Sequence, residues 1–168
     1  MKEIPFDPHD RETLARLQQM PVFGAMDEER LSKVLGMATL RRYEKDETII
    51  REGDTDQTVY FLIMGSCSVD VEGVKVSSIS EIGDMFGEMG IIDKQPRSAT
   101  VRPEKPVLCL VLDSHFMERM EGVDKLAAEA LFYRIFSETL AMRLRAANAR
   151  ILFLEDKLKE STREHPWR

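Results

Sequence analysis

Six consecutive apolar residues, Val59-Tyr60-Phe61-Leu62-Ile63-Met64, set the strongest constraint on this chain. The run is too short for a membrane span. With no polar residue at either alternate position, it predicts a strand buried on both faces. Short strands and turns surround it. Leu40-Arg41-Arg42-Tyr43 and Glu47-Thr48-Ile49-Ile50-Arg51 read as strands parted by Lys45-Asp46, and Gly53-Asp54 as a turn. Gly65 is expected to end the apolar run. Cys67, Val69 and Val71 then alternate with Ser68, Asp70 and Glu72, as in a strand with one wet face. Glu72-Gly73 predicts a tight hairpin turn, after which Val74, Val76 and Ser78 continue the meander. Ser98–Arg102 and Pro106–Leu112 predict two further strands. Short strands at this spacing predict an antiparallel sandwich or roll.

Helical signals flank the strands. Asp10 to Gln19 predicts a helix with Leu14 and Leu17 on a narrow stripe, ended by Met20-Pro21. Asp27 signals a second start, placing Leu31, Val34 and Leu35 on one face. Asp113-Ser114 is expected to cap a short helix through Met120, and Gly122-Val123-Asp124 to begin a long one. Neither glycine nor proline occurs from Lys125 to Lys159. Within that stretch Leu140, Leu144, Ala147, Ile151, Leu154 and Leu158 alternate spacings of four and three, a heptad seam suited to self-association. The expected division is an N-terminal helical segment, 1–38; a β-roll, 39–113; C-terminal lid and dimerisation helices, 114–160; and a frayed tail, 161–168.

The chemistry concentrates in Gly83-Asp84-Met85-Phe86-Gly87-Glu88-Met89-Gly90-Ile91-Ile92-Asp93-Lys94-Gln95-Pro96-Arg97-Ser98-Ala99-Thr100-Val101. Gly87 and Gly90 let the backbone approach a ligand closely. Exposed amides in a tight turn, and a short helical turn over Met89 to Ile92, suit phosphate oxygens. Arg97 adds a permanently charged fork that matches two such oxygens. Glu88 would repel phosphate, so its natural partner is a sugar hydroxyl. Together these residues describe a ligand with one phosphate and a ribose.

Phe86-Gly87-Glu88, followed by Pro96-Arg97-Ser98-Ala99-Thr100-Val101, resembles the phosphate-binding cassette of cyclic nucleotide-binding domains. These occur in catabolite activator proteins, cAMP-dependent kinase regulatory subunits and cyclic nucleotide-regulated channels. Ile50-Arg51-Glu52-Gly53-Asp54, Asp56, Tyr60 and Gly65 follow the same family's earlier strand and turn pattern, so the resemblance covers roughly residues 20 to 155. It implies an α+β fold: an antiparallel, cupin-like jelly-roll β-roll flanked by N-terminal helices and a long C-terminal helix. It implies that Glu88 binds the ribose 2′-hydroxyl and Arg97 the cyclic phosphate, with backbone amides of Met89, Gly90 and Ile91 beside it. Ser98 can donate to phosphate, satisfy a strand end, or meet a guanine amino group. Ile91 is an apolar latch or plain core.

By comparison with catabolite activator proteins, Ala147 and Asn148 stand where side chains meet the base. Asn148 offers donors and an acceptor to an adenine edge, or is an exposed polar residue beside the seam. Ala147 departs from the pattern.

The expected ligand is therefore cAMP, preferred over cGMP, with no metal. His9, His115 and His165 lack ligand spacing, which disfavours a metal-dependent cupin enzyme. No Ser–His or Cys–His arrangement is visible, so the chain reads as a sensor and not an enzyme. Cys67 and Cys109 read as small buried thiols. The N-terminus lacks the apolar core of a signal peptide, which points to the cytoplasm. A formal charge of −6 argues against direct DNA binding, and no apolar run argues for a membrane. The expected partners are a second copy through the C-terminal helix and a separate effector protein. The alternative is a degenerate roll that no longer binds nucleotide and serves as a dimerisation module.

Overall fold

The computed structural model describes residues 1–7, 9, 11–20, 23–24, 26–113 and 121–164. They fall in two compact units, Met1–Ala128 and Glu129–Arg168. The first holds an antiparallel six-stranded sheet: β1 (Lys2–Ile4), β2 (Thr39–Tyr43), β3 (Thr58–Val71), β4 (Val74–Ile79), β5 (Met85–Phe86) and β6 (Thr100–Asp113). Its order is β1-β2-β6-β3-β4, with β5 also on β3. The expected antiparallel roll with flanking helices is what forms.

The apolar run lies at the centre; Val59–Leu62 is buried on both faces as predicted, but Ile63 is half-buried and Met64 is 52% exposed, so the two-faced burial stops short of the run's end. Tyr60 and Leu62 join Val107, Cys109 and Val111 inside the roll. Val59 and Phe61, also fully buried, alternate to the other face, where the Phe61 ring lies 5.1 Å from that of Phe23. Burying a phenylalanine in this way contributes about 1.5–3 kcal/mol. Two helices precede β2: α1 (Arg11–Gln18) and α2 (Glu28–Leu35). The Asp27 carboxylate caps α2, accepting from Arg30 N at 2.8 Å. Leu31, Val34 and Leu35 are buried, as their spacing predicts.

The structure corrects several boundaries. Gly65 does not end the apolar strand. It takes φ +105°, and β3 runs through it with register shifts on either side. A Cβ there would stand 2.6 Å from Pro106 O, so only glycine fits this bulge. Ser98–Arg102 and Pro106–Leu112 are not separate strands but parts of one, β6, and Ser98 and Ala99 precede it in a bend. Pro103 and Pro106 interrupt nothing because β2 pairs with β6 only along Val107–Val111, leaving the prolines without a neighbour on that side. Glu47–Arg51 is no strand; only Ile50 bridges to Val101.

β1 was not anticipated. Its charged residues gave no strand signal, yet Lys2 pairs with Arg42 and Ile4 with Leu40. The hairpin expected at Glu72-Gly73 forms with φ +51° and +77°, the two positive values such a turn requires.

The long helix α4 (Gly122–Glu164) also forms, and it extends through the first residues assigned to the tail. The short helix expected over Ser114–Met120 lies outside the described residues.

Candidate functional site

β5 is held against β3 by Tyr60, which pairs with Phe86 in register and stacks on its ring at 5.1 Å and 9°. Burial pushes the Tyr60 hydroxyl well above its ordinary pKa, so it stays protonated. Gly87 follows at φ +84° and turns the chain. Glu88 then enters the single turn α3 (Met89–Ile92), as the sequence predicts. Lys94, at φ +55°, reverses the chain, and Asp93 Oδ1 accepts from Gln95 N at 3.0 Å.

The return leg is templated by the loop before β3. Arg97 N donates to Asp54 O at 2.7 Å, and Gly53 N donates to Arg97 O at 2.9 Å. Val101 O accepts from Ile49 N, and Val101 N donates to Ile50 O. Glu52 N donates to the Thr100 hydroxyl at 3.1 Å. The expected Glu47–Arg51 strand is thus a partial ladder that serves to position Arg97.

The Arg97 side chain turns inward and is 2% exposed. Its Nε donates to Asp56 Oδ2 at 3.2 Å and its Nη2 to Asp56 Oδ1 at 2.6 Å. Nη2 also donates to Thr58 O at 2.7 Å, and Nη1 to Gly87 O at 2.6 Å. Four of the five guanidinium N–H donors are therefore used. Burial raises the Asp56 pKa, but hydrogen bonds and charge from Arg97, with help from Thr58, outweigh it and hold the carboxyl below its ordinary value.

The two glycines do permit a close approach, and the group they admit is this guanidinium. A Cβ at Gly87 would lie 2.6 Å from Thr58 O and 2.9 Å from Arg97 Nη1; one at Gly90 would lie 3.3 Å from the same nitrogen.

The other cassette residues surround this network. Glu88 is buried at 1% exposure. Ile91 is also buried, and its amide donates to Glu88 O at 3.0 Å. That bond closes the helical turn, whose first-turn amides belong to Met89 and Gly90. Ser98 and Met89 are exposed and meet at the rim, Oγ to Sδ at 3.7 Å. Thus Gly87 to Ile91, Arg97 and Ser98 are brought together. Asn148 is exposed on α4 in the second unit.

Asp56 was legible in the sequence only as part of the strand and turn pattern, Thr58 not at all, and neither was read as a neighbour of Arg97. They lie 41 and 39 positions from Arg97, and nothing local links them to it. Among the described residues no cluster of His, Cys, Asp and Glu could hold a metal, and no helix is long and apolar enough to cross a membrane. A concavity of about 390 Å³ along β1 and β2 is lined by Met1, Lys2, Ile4, Arg42, Glu44 and Glu47, none of them in the cassette.

The roll thus carries a glycine-lined turn over a buried arginine. Residues 40–121 match the family described as the cyclic nucleotide-binding domain, and this segment of the chain is a domain of that family. It is 29% identical over 106 residues to the cAMP-dependent protein kinase regulatory subunit of Debaryomyces hansenii, covering 63% of this chain and 24% of that one. It is 24% identical over 144 residues to the cGMP-dependent protein kinase of Toxoplasma gondii, covering 86% of this chain and 14% of that one. The crystal structure of a cyclic nucleotide-binding domain from Methylobacillus flagellatus KT has the same fold, with TM-score 0.68, 21% identity, and coverage of 84% and 81%. The chain spans only 10% to 26% of the length of its curated relatives.

Proposed function

We propose that this chain senses a cyclic nucleotide, with cAMP preferred over cGMP, and is not itself an enzyme. The observation that carries this reading is the Arg97 guanidinium, buried against the glycine-lined turn at Gly87 and Gly90 with four of its five N–H donors engaged. The cyclic phosphate reaches Arg97 and the amides of Met89 and Gly90, with Ser98 at the rim. Glu88 accepts from the ribose 2′-hydroxyl in a site that excludes water, where such a bond is stronger. Asn148 meets the base, and Ile91 packs differently when ligand is present.

Ligand shifts the C-terminal helices only as far as it binds one arrangement better than the other. A second copy docks through α4, and a separate effector protein reads the outcome in the cytoplasm. The charge of −6 speaks against DNA as that partner. Calorimetric titration with cAMP and cGMP tests the assignment. Binding of either with Arg97 intact, weakened by Arg97→Ala, supports it; no binding of either overturns it.

One observation favours a second reading. The fork of Arg97 already holds the Asp56 carboxylate. On that reading the pair is structural and the roll is a dimerisation module. Thermal stabilisation separates the two, because only a ligand of the native state raises stability by mass action. A melting temperature unmoved by saturating cAMP and cGMP favours the module.

A further inference from the structure

The tip of the β3–β4 hairpin is fastened to the loop that holds Arg97. Glu72, the first residue of the turn, donates its backbone N–H to Glu52 Oε2 at 2.9 Å. Glu72 carries φ +51°, a left-handed conformation that a residue with a Cβ adopts at a cost. The Glu52 carboxylate offsets part of that cost, because a hydrogen bond to an ionised acceptor is stronger than one to a neutral oxygen.

Glu52 is half-buried and is held through its own backbone as well. Its N–H donates to the Thr100 hydroxyl at 3.1 Å, and Thr100, only 8% exposed, pairs with Asp70 across β3 and β6. Asp70 is fixed in turn: its Oδ2 accepts from Arg102 Nη1 at 3.1 Å and from the Ser68 hydroxyl at 3.2 Å. The residues after Glu52 grip the Arg97 backbone from both sides. Gly53 N donates to Arg97 O, and Asp54 O accepts from Arg97 N. Asp56, in the same loop, holds the guanidinium. The segment from Glu52 to Asp56 therefore holds Arg97 by backbone and by side chain, and Glu52 anchors that segment at its hairpin end.

We propose that Glu52 is a positioning residue for Arg97: by fastening the hairpin turn to this segment, its carboxylate fixes where the guanidinium stands. The inference rests on the nucleotide-sensing reading above and adds a residue that acts through Arg97 and not on the nucleotide. A fork must meet phosphate oxygens at the right distance and direction, so a small displacement of the segment costs affinity without unfolding the roll. The bond from Glu72 to Glu52 is open to solvent, so its effect is smaller than that of Arg97 itself.

The test is a double-mutant cycle in the full chain, read by calorimetry with cAMP. Glu52→Ala should weaken binding on the order of fivefold. Glu52→Gln keeps an acceptor oxygen for the Glu72 amide and should recover most of that loss; equal weakening in both variants would overturn the role. In an Arg97→Ala background, Glu52→Ala should cost nothing further, because its effect passes through the guanidinium. Losses that simply add would overturn the proposal. Hydrogen exchange at the Arg97 amide gives a readout that needs no ligand. It should quicken in Glu52→Ala and return to the parent rate in Glu52→Gln. Unchanged exchange in the alanine variant would show that Glu52 does not hold Arg97, whether or not nucleotide binds. A parent that binds neither cAMP nor cGMP overturns the sensing reading alone, and the exchange rates then decide for or against Glu52.

Discussion

Arg97 and Asp56 form a two-pronged bond in which Nη2 stands 2.6 Å from Oδ1 and Nε 3.2 Å from Oδ2. This is the geometry a phosphate would ask of the same fork. The partners are unequally placed: the side chain of Arg97 is 2% exposed and that of Asp56 is 46% exposed. A phosphate can therefore take the remaining Nη1 donor, or displace the acid, which has water to move into.

Replacing Arg97 with alanine should weaken cyclic nucleotide binding at least about tenfold, since one charge-assisted bond contributes roughly 1.5–3 kcal/mol. Arg97→Lys should recover only part of the loss, because an ammonium has the charge without the fork. Calorimetry reads both. Wild-type affinity in the alanine variant would remove Arg97 from the site.

The same pair sets an acid dependence. The folded-state pKa of Asp56 lies below its ordinary value of 3.8, so its contribution is present above the unfolded pKa and is lost as pH falls through the folded one. Asp56→Asn should lower stability near neutrality by about 1–2 kcal/mol, a figure discounted for the exposure of Asp56. It should also flatten the acid limb of a pH–stability profile measured by urea unfolding. An acid limb identical to that of the parent would show that Asp56 contributes nothing.

Glu88 is tested through the ligand. The parent should bind 2′-deoxy-cAMP more weakly than cAMP, and Glu88→Gln should shrink that difference. A double-mutant comparison of this kind isolates the contact between the carboxylate and the 2′-hydroxyl. An unchanged ratio would place the ribose elsewhere.

Gly87→Ala should destabilise the protein by about 1–2 kcal/mol or more, from a positive φ together with a clash. Gly73→Ala is the control: φ is +77°, but nothing lies within 4 Å of the added Cβ, so only the backbone strain applies. Thermal unfolding that ranks the two equally would mean that the contact between Gly87 and Thr58 O relaxes at no cost.

The thiols should be inert in the native state. Burial pushes Cys67 up to about 12, and Cys109 is raised further by burial and by its neighbour Cys67. Thiolate is therefore scarce near neutral pH. Alkylation should follow global unfolding in denaturant. Rapid modification of the folded protein would contradict the packing inside the roll.

Much of this protein was legible in local pattern. The two-faced burial of Val59 to Leu62, the cap at Asp27, the hairpin at Glu72-Gly73, the turn α3 and the uninterrupted helix α4 all follow from neighbours within a few positions. Their physical causes, namely side-chain periodicity, cap chemistry and allowed φ, act over that same range. Gly65 was misjudged because a glycine signals a break and a bulge alike; only the close approach of Pro106 O distinguishes them.

The partner of Arg97 could not be read in this way. Asp56, 41 positions away, becomes its neighbour only once β3 and the cassette are folded together, and nothing in the residues between them announces that meeting. The residue types at the cassette thus marked in advance the stretch where close glycines and a buried arginine gather. Which carboxylate holds the arginine, and which glycines stand against it, was decided by packing, because a contact between distant positions exists only once the chain between them has closed.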